Sequence, residues 1–188
     1  MPPDVLAEIM EVLVVDDEAG VRELLIEYFK SLGFRVTGAP DGPAAIGLLQ
    51  RSHGRYGLVI TDLNLPGADG FAVLQAARQA SAGCYVVIVT GHASLESAIR
   101  AVRVGAYDYL AKPFSFEQLG VILARIRERV ILQRATHRSP PATRDPAAIL
   151  PPSPAASKVE KRLEMLEASL HRIERLMSRH GGSRESDL

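Results

Sequence analysis

The chain has 188 residues, 47% apolar and 23% charged, and its 22 basic residues balance 22 acidic ones. That is the composition of a soluble globular protein, and no apolar run approaches the ~20 residues of a membrane helix, so no membrane partner is expected. Neither the part up to Thr136, with 13 basic and 15 acidic residues, nor the remainder, with 9 and 7, carries the basic excess of a nucleic-acid-binding surface.

Residues 1–8, MPPDVLAE, open an N-terminal extension without the basic-then-apolar pattern of a signal peptide. Residues 9–136 alternate strand and helix patterns. Strands are expected at 11–15, 35–37, 58–61, 85–90 and 107–111, and helices at 18–32, 43–50, 71–79, 95–104 and 116–134. The first, third and fourth strands are almost continuously apolar, as strands buried on both faces of a parallel sheet are. Gly33 and Gly105 stand just past helix ends, where a left-handed cap favours glycine. Asp41 and Asp69 precede helices as N-caps, and Ser115 with Gln118 has capping-box spacing. The single cysteine, Cys84, lies beside the apolar run 86–89 and is expected to be buried and inert, which suits a reducing cytoplasm. Strict alternation with right-handed crossovers gives an α/β fold, a doubly wound five-stranded parallel sheet.

From 137 to 157 the chain turns proline-rich, with half of all its prolines, and reads as a semi-rigid linker. Residues 158–180 form a helical pattern without Gly or Pro. Val159, Leu163, Leu166, Leu170, Ile173 and Met177 recur at alternating spacings of four and three, a coiled-coil seam. Residues 181–188 are an expected disordered tail.

Polar residues collect where the strands end. The first strand runs into Asp16, Asp17 and Glu18, the third into Asp62, the fourth into Thr90, and the fifth into Lys112-Pro113. In an open α/β sheet, ligands bind outside the carboxyl ends of the strands. Asp16, Asp17 and Asp62 brought together would repel one another unless a cation joined them. An all-oxygen set of this kind suits Mg²⁺, which keeps several waters and binds phosphate. Asp62 could then attack a phosphoryl group and form an aspartyl phosphate. Lys112 would steady the charge, and the Thr90 hydroxyl would donate to a phosphoryl oxygen. Singly, each feature has a plainer explanation: an acidic pair can be a helix cap, a strand-end Thr simple packing, and Asp62–Gly67 a turn. Their joint occurrence at four strand ends favours a site.

The pieces VLVVDDE at 12–18, VITDLNLPGADGF at 59–71, VIVTGHAS at 87–94 and GAYDYLAKPF at 105–114 resemble the response-regulator receiver domain, over roughly residues 9–135. The resemblance implies a flavodoxin-like receiver in a two-component system, with Asp62 as phosphorylation site and Asp16 and Asp17 as an acidic pocket. It implies Mg²⁺ on Asp17, Asp62 and the backbone carbonyl of Asn64. It further implies Thr90 and Tyr109 as switch residues, Lys112 as the phosphate-contacting lysine, and a cis Lys112-Pro113 bond. Asn64 and His92 would flank the path of an attacking water. The expected phosphodonor is a histidine kinase or phosphotransfer protein. Beyond self-phosphorylation and its reversal, no enzymatic activity is expected.

Two alternatives compete with this reading. A haloacid-dehalogenase-like phosphatase also uses an Asp nucleophile, but needs a second Asp two residues later, where this chain has Asn64. A DNA-binding regulator needs at least two helices with a turn, and the segment beyond the linker has one; the chain would then be a fragment or variant of such a protein. The expected output is therefore through protein contacts, either a phosphorylation-dependent homodimer or a partner bound by the last helix.

Overall fold

The computed structural model describes residues 6, 7 and 10–138, with side chains as far as Arg134. Five strands, β1 (Glu11–Val15), β2 (Arg35–Ala39), β3 (Tyr56–Thr61), β4 (Tyr85–Thr90) and β5 (Asp108–Ala111), form one sheet. Every pairing is parallel, in the order β2-β1-β3-β4-β5. Between and after them lie α1 (Ala19–Ser31), α2 (Gly42–Arg51), α3 (Gly70–Ala80), α4 (Leu95–Val104) and α5 (Phe116–Arg138).

Strand side chains alternate between two faces, and both faces are apolar because both are covered. Val12, Val14, Leu58, Ile60, Val87 and Val89 pack with Leu25 and Phe29 of α1 and with Leu119, Ile122 and Ile126 of α5. Leu13, Val15, Val59, Val86 and Ile88 pack with Leu49 of α2, with Phe71, Val73 and Leu74 of α3, and with Ala101 of α4. Burying one such aliphatic side chain contributes about 1.5–3 kcal/mol, so these two layers dominate the stability. Leu6, within the stretch expected to be an extension, is fully buried in the first layer.

The expected helix ends are present. The Asp41 carboxylate accepts the Ala44 N–H at 2.7 Å, and Asp69 accepts that of Ala72 at 2.9 Å. Gly105 caps α4 at φ 102°, a left-handed conformation that disfavours a side chain. Gln118 Oε1 accepts the Ser115 N–H at 2.9 Å, which closes the box ahead of α5.

Three boundaries differ from expectation by two residues or more. β2 continues through Gly38 to Ala39, and β3 starts two residues earlier, at Tyr56. α5 reaches Arg138, two residues into the stretch read as linker. The rest of that linker, the 158–180 helix and the 181–188 tail lie outside the described residues. Among the described residues no helix is long and apolar enough to cross a membrane.

Strand order reverses at β1, which the next two strands in sequence, β2 and β3, flank on opposite sides. Such a reversal opens a crevice at the carboxyl ends of the strands. That end of β1 and β3 carries the acidic residues.

Candidate functional site

Asp16 continues β1, and its N–H donates to the Ala39 carbonyl at 3.2 Å; Asp62 continues β3 and donates to the Val15 carbonyl at 2.8 Å. Both therefore extend the sheet's ladder and are held by its backbone. Asp16 is 1% exposed and Asp62 6%, while Asp17 is exposed to solvent. A carboxylate oxygen from each of Asp16, Asp17 and Asp62 lies within 4.8 Å of the other two. The sequence expectation that the acids converge is met.

Lys112 enters from the end of β5. Its Nζ donates to Asp16 Oδ2 and to Asp62 Oδ2, each at 2.8 Å, and to Glu18 Oε1 at 3.1 Å. Burial alone would lower the lysine's pKa, but the three carboxylates outweigh it and hold the ammonium well above its ordinary range. Burial likewise pushes the Asp16 carboxyl up, and the hydrogen bonds from Lys112 and the Glu18 N–H pull back against that rise. The pocket thus holds one fixed cation against several carboxylates and retains acidic oxygens facing solvent on Asp17.

The acidic pair is not a helix cap. Glu18 occupies the N-cap of α1, and its side chain makes no cap hydrogen bond. Instead, Asp16 Oδ1 accepts the Glu18 N–H at 3.0 Å, which fixes the carboxylate's rotation. Asp62 Oδ1 accepts the Asn64 N–H at 3.1 Å in the same manner. Glu18, which the sequence places at the end of the first strand without a role, shares the lysine. Arg22, one turn into α1 and unmarked in the sequence, donates to the Asp16 carbonyl at 2.7 Å. A charged residue at helical spacing reads as solvated surface, so Arg22 gave no signal.

Thr90 is fully buried at the end of β4, and its Oγ1 accepts the His92 N–H at 3.2 Å. His92 is exposed. Tyr109, half-buried on β5, places its hydroxyl 2.7 Å from Ser97 Oγ on α4. Burial pushes that phenol's pKa up, opposed by the Ser97 hydrogen bond. The Lys112-Pro113 bond is cis. Between the β3–α3 loop and α4 lies a cleft of about 240 Å³, bordered by Asn64, Asp69, Phe71, Ser97 and Arg100.

All the donors of the acidic cluster are hard oxygens, and they match the needs of a small divalent cation rather than a soft one. The residues can hold a metal ion.

Residues 12–124, more than half of the chain, match the family described as the response regulator receiver domain. A putative response regulator of the NtrX-like type from Rickettsia conorii is 34% identical over 127 residues, 66% of this chain and 26% of that protein. The chain thus spans about a quarter of the length of the curated relatives it matches first. The receiver domain of a putative LuxO repressor protein from Vibrio parahaemolyticus superposes with a TM-score of 0.61 at 29% identity, covering 69% of this chain and 98% of that one. A response regulator from Burkholderia pseudomallei, solved with a phosphorylated aspartic acid, a calcium ion and citrate, gives 0.57 at 25% identity over 69% and 75%.

Proposed function

Because the chain belongs to the response regulator receiver domain family, we propose that Asp62 accepts a phosphoryl group from a histidine kinase or phosphotransfer protein and thereby switches its protein contacts. A carboxylate oxygen of Asp62 attacks phosphorus as the bond to the donor's leaving atom breaks, giving an acyl phosphate on Asp62. The single observation that carries this is Lys112, whose ammonium bonds both Asp62 and Asp16 at 2.8 Å. A cation already resting on the acceptor carboxylate is positioned for charge that develops beside it. The phosphorylated aspartic acid in the Burkholderia relative supports the same assignment.

Mg²⁺ held by Asp17, Asp62 and the Asn64 backbone carbonyl, with Asp16 beside it, would supply further positive charge against the phosphoryl oxygens. Thr90 gives up the role of acceptor from His92 N–H and turns its hydroxyl proton toward a phosphoryl oxygen. Tyr109 follows into the space that Thr90 vacates. Asn64 and His92, each two residues beyond a site residue, border the route of hydrolytic water. The resulting signal is carried by protein contacts, either a homodimer formed on phosphorylation or a partner engaged by the last helix, in the cytoplasm. A second reading, a receiver belonging to a DNA-binding transcriptional regulator, is favoured by one fact: several of the matched relatives, two to three times as long as the matched segment, are named transcriptional regulators.

The test is incubation with acetyl phosphate and Mg²⁺ followed by intact mass spectrometry. One adduct is expected on the wild type and none on Asp62→Asn. An undiminished adduct on Asp62→Asn would sink the assignment.

A further inference from the structure

α4 is the helix least secured by apolar packing. Its only buried residues are Ala98 and Ala101, whereas α3 buries Phe71, Val73, Leu74 and Ala77. Two alanine methyls contribute far less burial than a phenyl ring and two branched side chains. Polar ties therefore weigh heavily in fixing where α4 rests. One is Arg100, whose guanidinium lies 4.0 Å above the Phe71 ring. The other is Ser97.

Ser97 Oγ is oversubscribed. It accepts the Ser94 N–H at 3.1 Å, donates to the Ser94 carbonyl at 2.9 Å, and lies 2.9 Å from Ser94 Oγ and 2.7 Å from the Tyr109 hydroxyl. A hydroxyl has one proton and two lone pairs, so it serves three of these four groups at once. In one arrangement the Ser97 proton joins the Ala98 N–H on the Ser94 carbonyl, and one Ser97 lone pair takes the Ser94 N–H. The second lone pair accepts from Tyr109 or from Ser94 Oγ. When Tyr109 withdraws, the Ser94 hydroxyl, already at hydrogen-bonding distance, takes its place. The helix cap survives, so withdrawal gives up the Tyr109 hydrogen bond and leaves the cap intact.

We propose that Ser97 is a positioning residue that seats the Tyr109 hydroxyl against the α4 cap in the unphosphorylated chain, so that β5 and the first turn of α4 move as a unit until Tyr109 leaves. This deepens the proposed function and rests on its assignment of Asp62 and Tyr109. Seating opposes the phosphorylated arrangement. Its loss raises affinity for a phosphoryl mimic by the value of one neutral hydrogen bond, about twofold to tenfold.

The probe is beryllofluoride with Mg²⁺, titrated onto the full chain and followed by NMR, together with the ring-carbon shift of Tyr109 before addition. Ser97→Ala removes both cap and seat. Ser97→Gln keeps a side chain able to reach back to the Ser94 N–H, as in an ordinary capping box, and removes only the seat. Ser97→Thr keeps both. The expected results are a twofold to tenfold tighter Kd for Ser97→Ala, Ser97→Gln and Tyr109→Phe, and a wild-type Kd for Ser97→Thr. The double variant Ser97→Ala/Tyr109→Phe should bind no more tightly than either single one, since both remove the same bond. A wild-type Kd for Ser97→Gln, or additive effects in the double variant, overturns the seat. A wild-type chain that takes no beryllofluoride overturns the assignment of Asp62 instead, and the Tyr109 ring shift in Ser97→Gln then still decides the seat: an unchanged shift overturns it.

Discussion

Replacing Gly70 with alanine should damage both fold and site, while the same change at Gly20 should stabilise the chain. Both glycines stand in the first turn of a helix, α3 and α1 respectively, so local propensity treats them alike. A Cβ at Gly20 would meet nothing within 4 Å. There the change acts mainly by restricting the unfolded chain and stabilises by about 0.4–1 kcal/mol. A Cβ at Gly70 would collide with the Asp62 carbonyl oxygen and sit 2.9 Å from Leu63 Cα. Neither atom is the end of a flexible side chain, and the Gly70 N–H also holds this loop through the Leu63 carbonyl at 2.9 Å. Overpacking against backbone costs about 1–3 kcal/mol, which exceeds the propensity gain, so a net loss of about 1–2 kcal/mol is expected. With an m-value of about 1–3 kcal/mol/M, the urea midpoint should fall by roughly 0.5–1 M. It should rise by a few tenths for Gly20→Ala. The backbone that must yield carries Asp62, and misplacing a reacting group by about 1 Å can cost on the order of a hundredfold in rate. Acetyl phosphate labelling of Gly70→Ala should therefore slow at least tenfold. A Gly70→Ala chain with a wild-type midpoint and wild-type labelling would refute the close-approach reasoning.

Lys112→Ala should still fold but lose stability, by up to about 3–5 kcal/mol, because Asp16 and Asp62 are left without their cation; thermal melts with and without Mg²⁺ should show part of the loss restored by the metal, and phosphorylation-dependent partner binding should be absent. Cys84 is 3% exposed and burial raises its thiol pKa to about 12. At pH 8 the thiolate fraction is then roughly a thousandfold below that of an unperturbed thiol, so alkylation should be slow in the folded chain and fast in urea. The folded pKa lies above the unfolded one. The thiol's contribution to stability is thus complete below about pH 9 and fades as pH rises toward 12, which pH-dependent urea titrations of wild type against Cys84→Ala would detect.

What was legible in the sequence was what departs from the ordinary. Continuous apolar runs revealed β1, β3 and β4, because only doubly covered strands can bury so many neighbouring side chains. Carboxylates and a lysine at strand ends revealed Asp16, Asp62 and Lys112, since charges there need a reason. Gly38 hid the end of β2, since glycine reads as a strand breaker. Its backbone is nevertheless suited to the place, because a Cβ would press to 2.8 Å from the Ile26 side chain of α1. The turn-like run around Gly54 and Gly57 hid the start of β3 in the same way, although a Cβ at Gly57 would collide with Met10. Ser97 was invisible for a different reason. A serine at the third position of a helix is common, capping-box patterns look for Glu or Gln there, and its partner Tyr109 is twelve residues away on another element. Contacts that depend on long-range register leave no local trace.

The division between rigid and adjustable parts follows from the same packing. The Asp62 carboxylate, its neighbour Asp16 and Thr90 all sit at the ends of central strands whose faces are both covered, so the site cannot easily deform. The phosphoryl group proposed for Asp62 would add about −1.5 to −2 units of charge at one point of this stiff frame. The resulting strain must be relieved where rearrangement costs least. Of the elements bordering the site, α4 is held by two buried alanines, an arginine stacked on Phe71 and a hydroxyl network open to two arrangements. A change of a few kcal/mol at Asp62 is large against such ties and small against the sheet. The response should therefore appear on the face formed by α4 and β5, where Leu95 and Ile99 already stand exposed at 47% and 37%. Two-state behaviour of this kind needs no long mechanical path, since the Tyr109 hydroxyl on β5 already meets Ser97 of α4 at 2.7 Å.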